Sequence, residues 1–345
     1  MMNAVETIQQ RPELSVHTPA PTNGMMKDED AQAAEPWEWT KLRRMALHQA
    51  DKIISLLPWA LNGGANDAIN KIRVTSRRLE CQLSLLYSNP FPQHIQRFRE
   101  KLKASRRRLG ELRNYDALIL LVQGLTAHRP ASESEVWKAL GEYIQDLKQK
   151  NTPTILEDFC RINLAFSYVK FKRDGDPANH PRAEAPMPLH DGPIPEVLYE
   201  RIMNSLQHEW KKFEETIEES RRHPQKKSIH SMRTAAKRLR YLMEVMKKLH
   251  IPGSAERLRW LRAVQDLVGR WHDLELLDHY MTEMVALPKF QLDYPHLAAK
   301  TEKAITHNHR IKAASERRFF WMTRKSPQYL ETKAWLGEIE KQARD

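Results

Sequence analysis

From "EPWEWTKLRRMALHQADKIISLLPWAL" (residues 35–61) onward, apolar residues recur at helical spacing almost everywhere, and long alternating Val/Ile/Thr runs are missing. The pattern predicts an all-α protein. Two stretches depart from it. Residues 1–35 mix Pro, Thr, Asn, Gln and acids without periodicity, which predicts a disordered tail. Residues 174–195, "DGDPANHPRAEAPMPLHDGPIP", hold six prolines and two glycines, which end any helix and predict an exposed linker. The linker separates a first helical half, 36–173, from a second, 196–325, followed by a C-terminal helix or tail over 326–345.

The halves can be superposed in sequence. A shift of 160 places His48 on His208, Asn70 on His230, Arg73 on Arg233, Arg77 on Lys237, Arg78 on Arg238 and Leu79 on Leu239. One residue further is lost before "LGELRNYDALILL" meets "VGRWHDLELLDHY", with Gly110 on Gly269 and Asn114 on Asp273. Agreement of charged, apolar and glycine positions predicts an internal duplication and two helical bundles related by a pseudo-two-fold.

Charge sharpens the picture. The chain of 345 residues has a formal net charge of +12, which points to an anionic partner. In "SIHSMRTAAKRLRYLMEVMKKL" (228–249), helical geometry puts His230, Arg233, Lys237 and Arg240 on one face. Met232, Ala235, Leu239, Leu242 and Met246 fall opposite, as a core stripe. In the first half Asn70, Arg73, Arg77 and Arg78 face away from Ile72, Leu79, Leu83 and Leu86. A solvated helix intersperses Glu with Lys to relieve repulsion. Neither Asn70–Arg78 nor His230–Arg240 contains an acid, so these faces await an anion from elsewhere. The next helix of each half adds Lys101, Lys103, Arg106, Arg107, Arg108 and Arg113, or Arg257, Arg259, Arg262, Arg270 and His272. Lys103 and Arg262 occupy matching places before the shared glycine. Paired antiparallel, these helices would line one basic groove per half, and pseudo-symmetry could join the grooves into a channel.

"HSMRTAAKRLRYLME" and "NKIRVTSRRLECQLS", each followed by a glycine-anchored "VGRWHDLELL" or "LGELRNYDAL", resemble the two signature repeats of the CHAD family, the histidine-bearing α-helical domain. The resemblance spans about residues 36–325. It implies two four-helix bundles about a pseudo-two-fold axis and binding of inorganic polyphosphate in a basic central pore. The signature histidine matches His230, and Arg233, Lys237 and Arg238 follow it. Arg73, Arg77 and Arg78 match in the first half, where Asn70 replaces the histidine and can still donate a hydrogen bond to phosphate. His48 and His208 resemble the histidines that the family tends to place on the first helix of each half. The expected phosphate contacts are therefore Arg73, Arg77, Arg78, Lys103, Arg106, Arg113, His230, Arg233, Lys237, Arg238, Arg240 and Arg262, with Asn70, His48 and His208 beside them.

Elementary chemistry agrees with that implication. Polyphosphate carries charge on every phosphate and presents no bases, so its binder needs guanidinium forks and ammonium groups more than recognition features. A histidine beside phosphates is pushed toward its protonated form. Asn114, Asp116, Asp273 and Glu275 are read as partners that fix the rotamers of basic side chains, with a metal site as the alternative for three acids and an amide split between the halves.

The competing classes are weighed on residues. No Walker loop, GxSxG elbow, HExxH or paired CxxC occurs, "HEWKK" lacks a second histidine, and no ExExK strand of a tunnel triphosphatase is present. The expectation is a noncovalent binder without catalytic residues, cofactor or metal. Nucleic acid is the alternative, since it shares the phosphate charge. It would need bases stacked on aromatics such as Trp260, Trp271 or Tyr241, whose helical positions suit packing equally well. Contact with a polyphosphate or polyester granule is compatible, and "HRIKAASERRFFWMTRKSPQYL" is basic and amphipathic, though a last bundle helix explains it more simply. Two isolated cysteines, Cys81 and Cys160, no signal layout and no apolar span favour a cytoplasmic protein.

Overall fold

The computed structural model describes residues 37–62, 66–127, 131–175, 194–223 and 225–342. The expected tail, 1–35, and nearly all of the expected linker lie outside them. Before the linker come α1 (Trp37–Leu61), α2 (Asn66–Leu86), α3 (Gln93–Arg108), α4 (Gly110–Ala127), α5 (Ala131–Arg161) and α6 (Leu164–Gly175). After it come α7 (Glu196–Arg222), α8 (Lys226–Lys248), α9 (Ser254–Ala286), α10 (Pro288–Asp293), α11 (Leu297–Met322) and α12 (Pro327–Gln342). The protein is all-α, and the described residues contain no strand. Among the described residues the first half carries six helices and the second, 196–325, five, with α12 beyond it, where the resemblance implied four per half.

The core stripes lie where helical spacing places them. On α8, Met232, Ala235, Leu239, Leu242 and Met246 are buried; on α2, Ile72, Leu79 and Leu83 are buried and Leu86 is partly so. Burial of such side chains, about 1.5–3 kcal/mol for each large one, gives these helices the stability that their charged faces cannot. Packing runs α1 on α2 and α7 on α8, with α9 against α8 and α11, and α2 meets α8 across the halves.

The cores do not divide at the linker. One cluster joins α1–α6 to Leu276, Leu277, Met281 and Met284 of α9, Phe290 of α10 and Leu297 and Ala304 of α11, and the other joins α7, α8, the first part of α9, Phe319 of α11 and α12 to Leu42 of α1 and Leu85 of α2. Helix α9 thus passes from one core into the other, and its crossing segment faces the α2–α8 seam. Arg201 of α7 ties the seam further: its guanidinium donates to the carbonyls of Leu85 and Leu86 at 3.3 Å, serving the end of α2, and lies 5.2 Å over the Trp39 ring.

Candidate anion-binding site

Four helices converge on a cleft of about 530 Å³. Helix α2 contributes Asn70, Arg73, Val74 and Arg77; α8 contributes Arg233, Lys237, Arg240 and Tyr241; α4 adds Arg113, Asn114 and Leu121; and α9 adds Gln265, Asp266, Gly269, Arg270 and Asp273. The cations from α2 and α8 stand opposite their own core stripes, so helical periodicity alone aims them at one space. Among the described residues Arg73, Arg77, Arg233, Lys237 and Arg270 have no ion-pair partner.

Burial, and after it their mutual repulsion, shows in their proton affinities. Burial, then Arg233, Arg77, Arg113 and Arg73, pushes the Lys237 ammonium from 10.5 down to about 5. Burial, then Arg77, Arg113, Arg233 and Arg106, lowers Arg73 to about 9, and burial, Arg113 and Arg77 lower Arg233 to about 10 against the opposing charge of Asp273. His272 falls to about 3 through burial and the charges of Arg233, Arg113, Lys237 and His230. His230, exposed at the edge, is lowered by partial burial and by Arg233, Lys237 and Arg77. Such shifts belong to buried positive charge that Asp266 and Asp273, the carboxylates of the cleft, do not fully balance.

Two local devices hold the cations. Arg113 Nη1 pairs with Asp273 Oδ1 at 3.2 Å, joining α4 to α9. Arg73 donates through Nη1 to the carbonyl of Arg106, at the end of α3. That oxygen is the acceptor the Gly110 amide would use in an uninterrupted helix, so a side chain inserted into the ladder separates α3 from α4. Gly110 makes room for it: a Cβ there would sit 3.1 Å from Arg73 Nη1. Gly269 breaks nothing, since α9 runs through it and nothing lies within 4 Å of its missing Cβ.

Several expected contacts lie elsewhere. Arg78 binds Glu244 at 2.7 Å and, with Arg262, lines a second cleft. Arg106 is held by Glu80 and by the Ser76 carbonyl at 3.4 Å. Lys103 and Arg238 are exposed and do not line the main cleft. His48 and His208 are exposed and outside it as well, because the buried stripes of α1 (Leu42, Ala46, Gln49, Ile53) and α7 (Leu198, Ile202, Leu206, Trp210) turn them away. The acids read as rotamer-fixing partners are paired: Asp273 with Arg113, Asp116 with Lys148 at 2.8 Å and Glu275 with Lys312 at 2.5 Å.

Sequence reasoning chose Arg262 on α9 where the structure brings Arg270 and Gln265 to the cleft. The signal was there: Gln265, Asp266, Gly269, Arg270 and Asp273 share one helical face that includes the motif glycine.

The CHAD domain family model matches residues 44–282, and the chain belongs to that family. The crystal structure of the CHAD domain from the plant Ricinus communis is similar at a TM-score of 0.50 and 18% identity, covering 87% of this chain and 96% of that one, and shares the fold. No curated protein matches the chain.

Proposed function

We propose that the protein binds inorganic polyphosphate noncovalently in the cleft between α2, α4, α8 and α9. The observation that carries this reading is the convergence of Arg73, Arg77, Arg233 and Arg270, none with an ion-pair partner among the described residues, and of Lys237 on one space of about 530 Å³. A flexible polyanion supplies the missing negative charge, and the helix scaffold arranges the donors beforehand, which limits the ordering entropy of binding. Matching positions from the two halves, Arg73 with Arg233 and Arg77 with Lys237, line the same cleft, which supports reading α2 and α8 as copies. Nucleic acid is less favoured because Trp260, Trp271 and Tyr241 are buried at 4%, 7% and 3% exposure, Tyr241 with the Arg240 guanidinium over its ring, and offer no open stacking face. No described helix is long and apolar enough to cross a membrane. A cytoplasmic place at polyphosphate granules follows from the binding proposed.

The test pairs two double variants. Charge reversal of Arg73 and Arg233 would also uncap α3, so Arg77→Ala with Arg270→Ala is the cleaner choice, set against Arg317→Ala with Arg318→Ala at exposed positions of α11. The cleft pair weakens long-chain polyphosphate binding at least about tenfold and lowers the salt slope of log K by about 1.4, at roughly 0.7 per lost phosphate contact. Equal losses from both pairs would mean diffuse surface attraction.

A further inference from the structure

Along the α2–α8 seam the main cleft is followed by a second, of about 340 Å³, and one carboxylate of the second bonds to an arginine of each. Glu244, on α8, accepts from Arg78 Nε at 2.7 Å and from Arg240 Nη1 at 2.6 Å, with its side chain only 12% exposed. Arg240 belongs to the main cleft and Arg78 to the second, while Tyr241 lines both, with the Arg240 guanidinium 4.5 Å over its ring.

The second cleft has its own unbalanced charge. Lys247 and Lys248, from the last turn of α8, and Arg262 of α9 line it, and among the described residues they have no ion-pair partner. Gln49 and Gln82 line it from buried positions, at 5% and 3% exposure, and Gln82 Oε1 has no hydrogen-bond partner. Turning that amide over would offer a phosphate two N–H donors from a buried, fixed position.

We propose that Glu244 divides the basic seam into two separate phosphate-binding clefts, the second formed by Arg78, Lys247, Lys248 and Arg262, and so limits how continuously a polyphosphate chain can lie across the protein. The inference rests on the polyphosphate reading above. A chain passing from one cleft to the other must run past a carboxylate of its own sign, in a setting too dry for water to screen it fully. Each cleft then holds its own short segment, and the carboxylate withholds Arg78 and Arg240 from full engagement.

Calorimetric titration with tripolyphosphate and with long-chain polyphosphate tests this on the full chain. The unaltered protein takes up two tripolyphosphates, and Lys247→Glu with Lys248→Glu, both exposed, takes up one while keeping the affinity of the remaining site. Glu244→Gln raises long-chain affinity about tenfold and steepens its salt slope by about 1.4, as two freed guanidiniums meet phosphate, and it raises tripolyphosphate affinity less. Glu80→Gln, which removes the same charge beside Arg106 outside both clefts, is the control. A gain from Glu80→Gln equal to that from Glu244→Gln, or an unchanged tripolyphosphate stoichiometry in the lysine variant, overturns the division while leaving polyphosphate binding standing. Failure of the unaltered protein to bind either polyphosphate overturns both readings.

Discussion

Lys237 shows most plainly what the cleft asks of a single residue. With a folded pKa of about 5 against an ordinary 10.5, it is neutral near pH 7 in the free protein while the unfolded chain holds the proton. Between those values the unfolded state binds more protons, so this group makes stability rise with pH and costs stability throughout the window below 10.5. Lys237→Met therefore raises stability by about 1–4 kcal/mol near neutrality and flattens its pH dependence, as read from denaturant unfolding at several pH values. A variant no more stable than its parent contradicts the burial argument. A bound polyanion acts in the opposite direction: it raises the Lys237 pKa, so binding takes up protons and weakens as pH climbs above 5. Sequence placed Lys237 on the right face. It gave no sign that the ammonium would be depressed, because that depends on Arg73 and Arg113 arriving from other helices.

At the scale of elements, one motif gives two outcomes. Gly110 and Gly269 align in sequence, yet the chain breaks between α3 and α4 at the first and continues through α9 at the second. The difference is Arg73, whose guanidinium occupies the Arg106 carbonyl and needs the space a Cβ would fill. Gly110→Ala pushes against a pinned, charged donor and lowers stability by about 1 kcal/mol. Gly269→Ala meets open space inside a helix and raises stability by about 0.5–1 kcal/mol. Thermal unfolding of the two variants measures the contrast, and equal shifts would mean that Arg73 moves freely. Helix faces and core stripes were legible because they follow from a period of 3.6 residues. Which copy of the motif would break was not, since the cause lies on a different helix.

For the whole molecule, the helical spacing of apolar positions announced an all-α protein, and family membership and fold agree. The sharing of cores was hidden. Only packing reveals that the end of α9 belongs with the first-half helices, or that Leu42 and Leu85 belong with the second. That exchange brings Gln265, Gly269 and Arg270 against the α2–α8 seam, and it explains why Arg262, chosen by repeat position, faces the neighbouring cleft instead. The central claim is that this assembly is built for a baseless polyanion. Its most direct test is competition at physiological salt between long-chain polyphosphate and single-stranded or duplex DNA of equal phosphate content for the full chain. The account predicts that polyphosphate displaces both DNAs at well below equivalent phosphate. Displacement of polyphosphate by either DNA at equal phosphate content would contradict it and make the cleft a nucleic-acid surface.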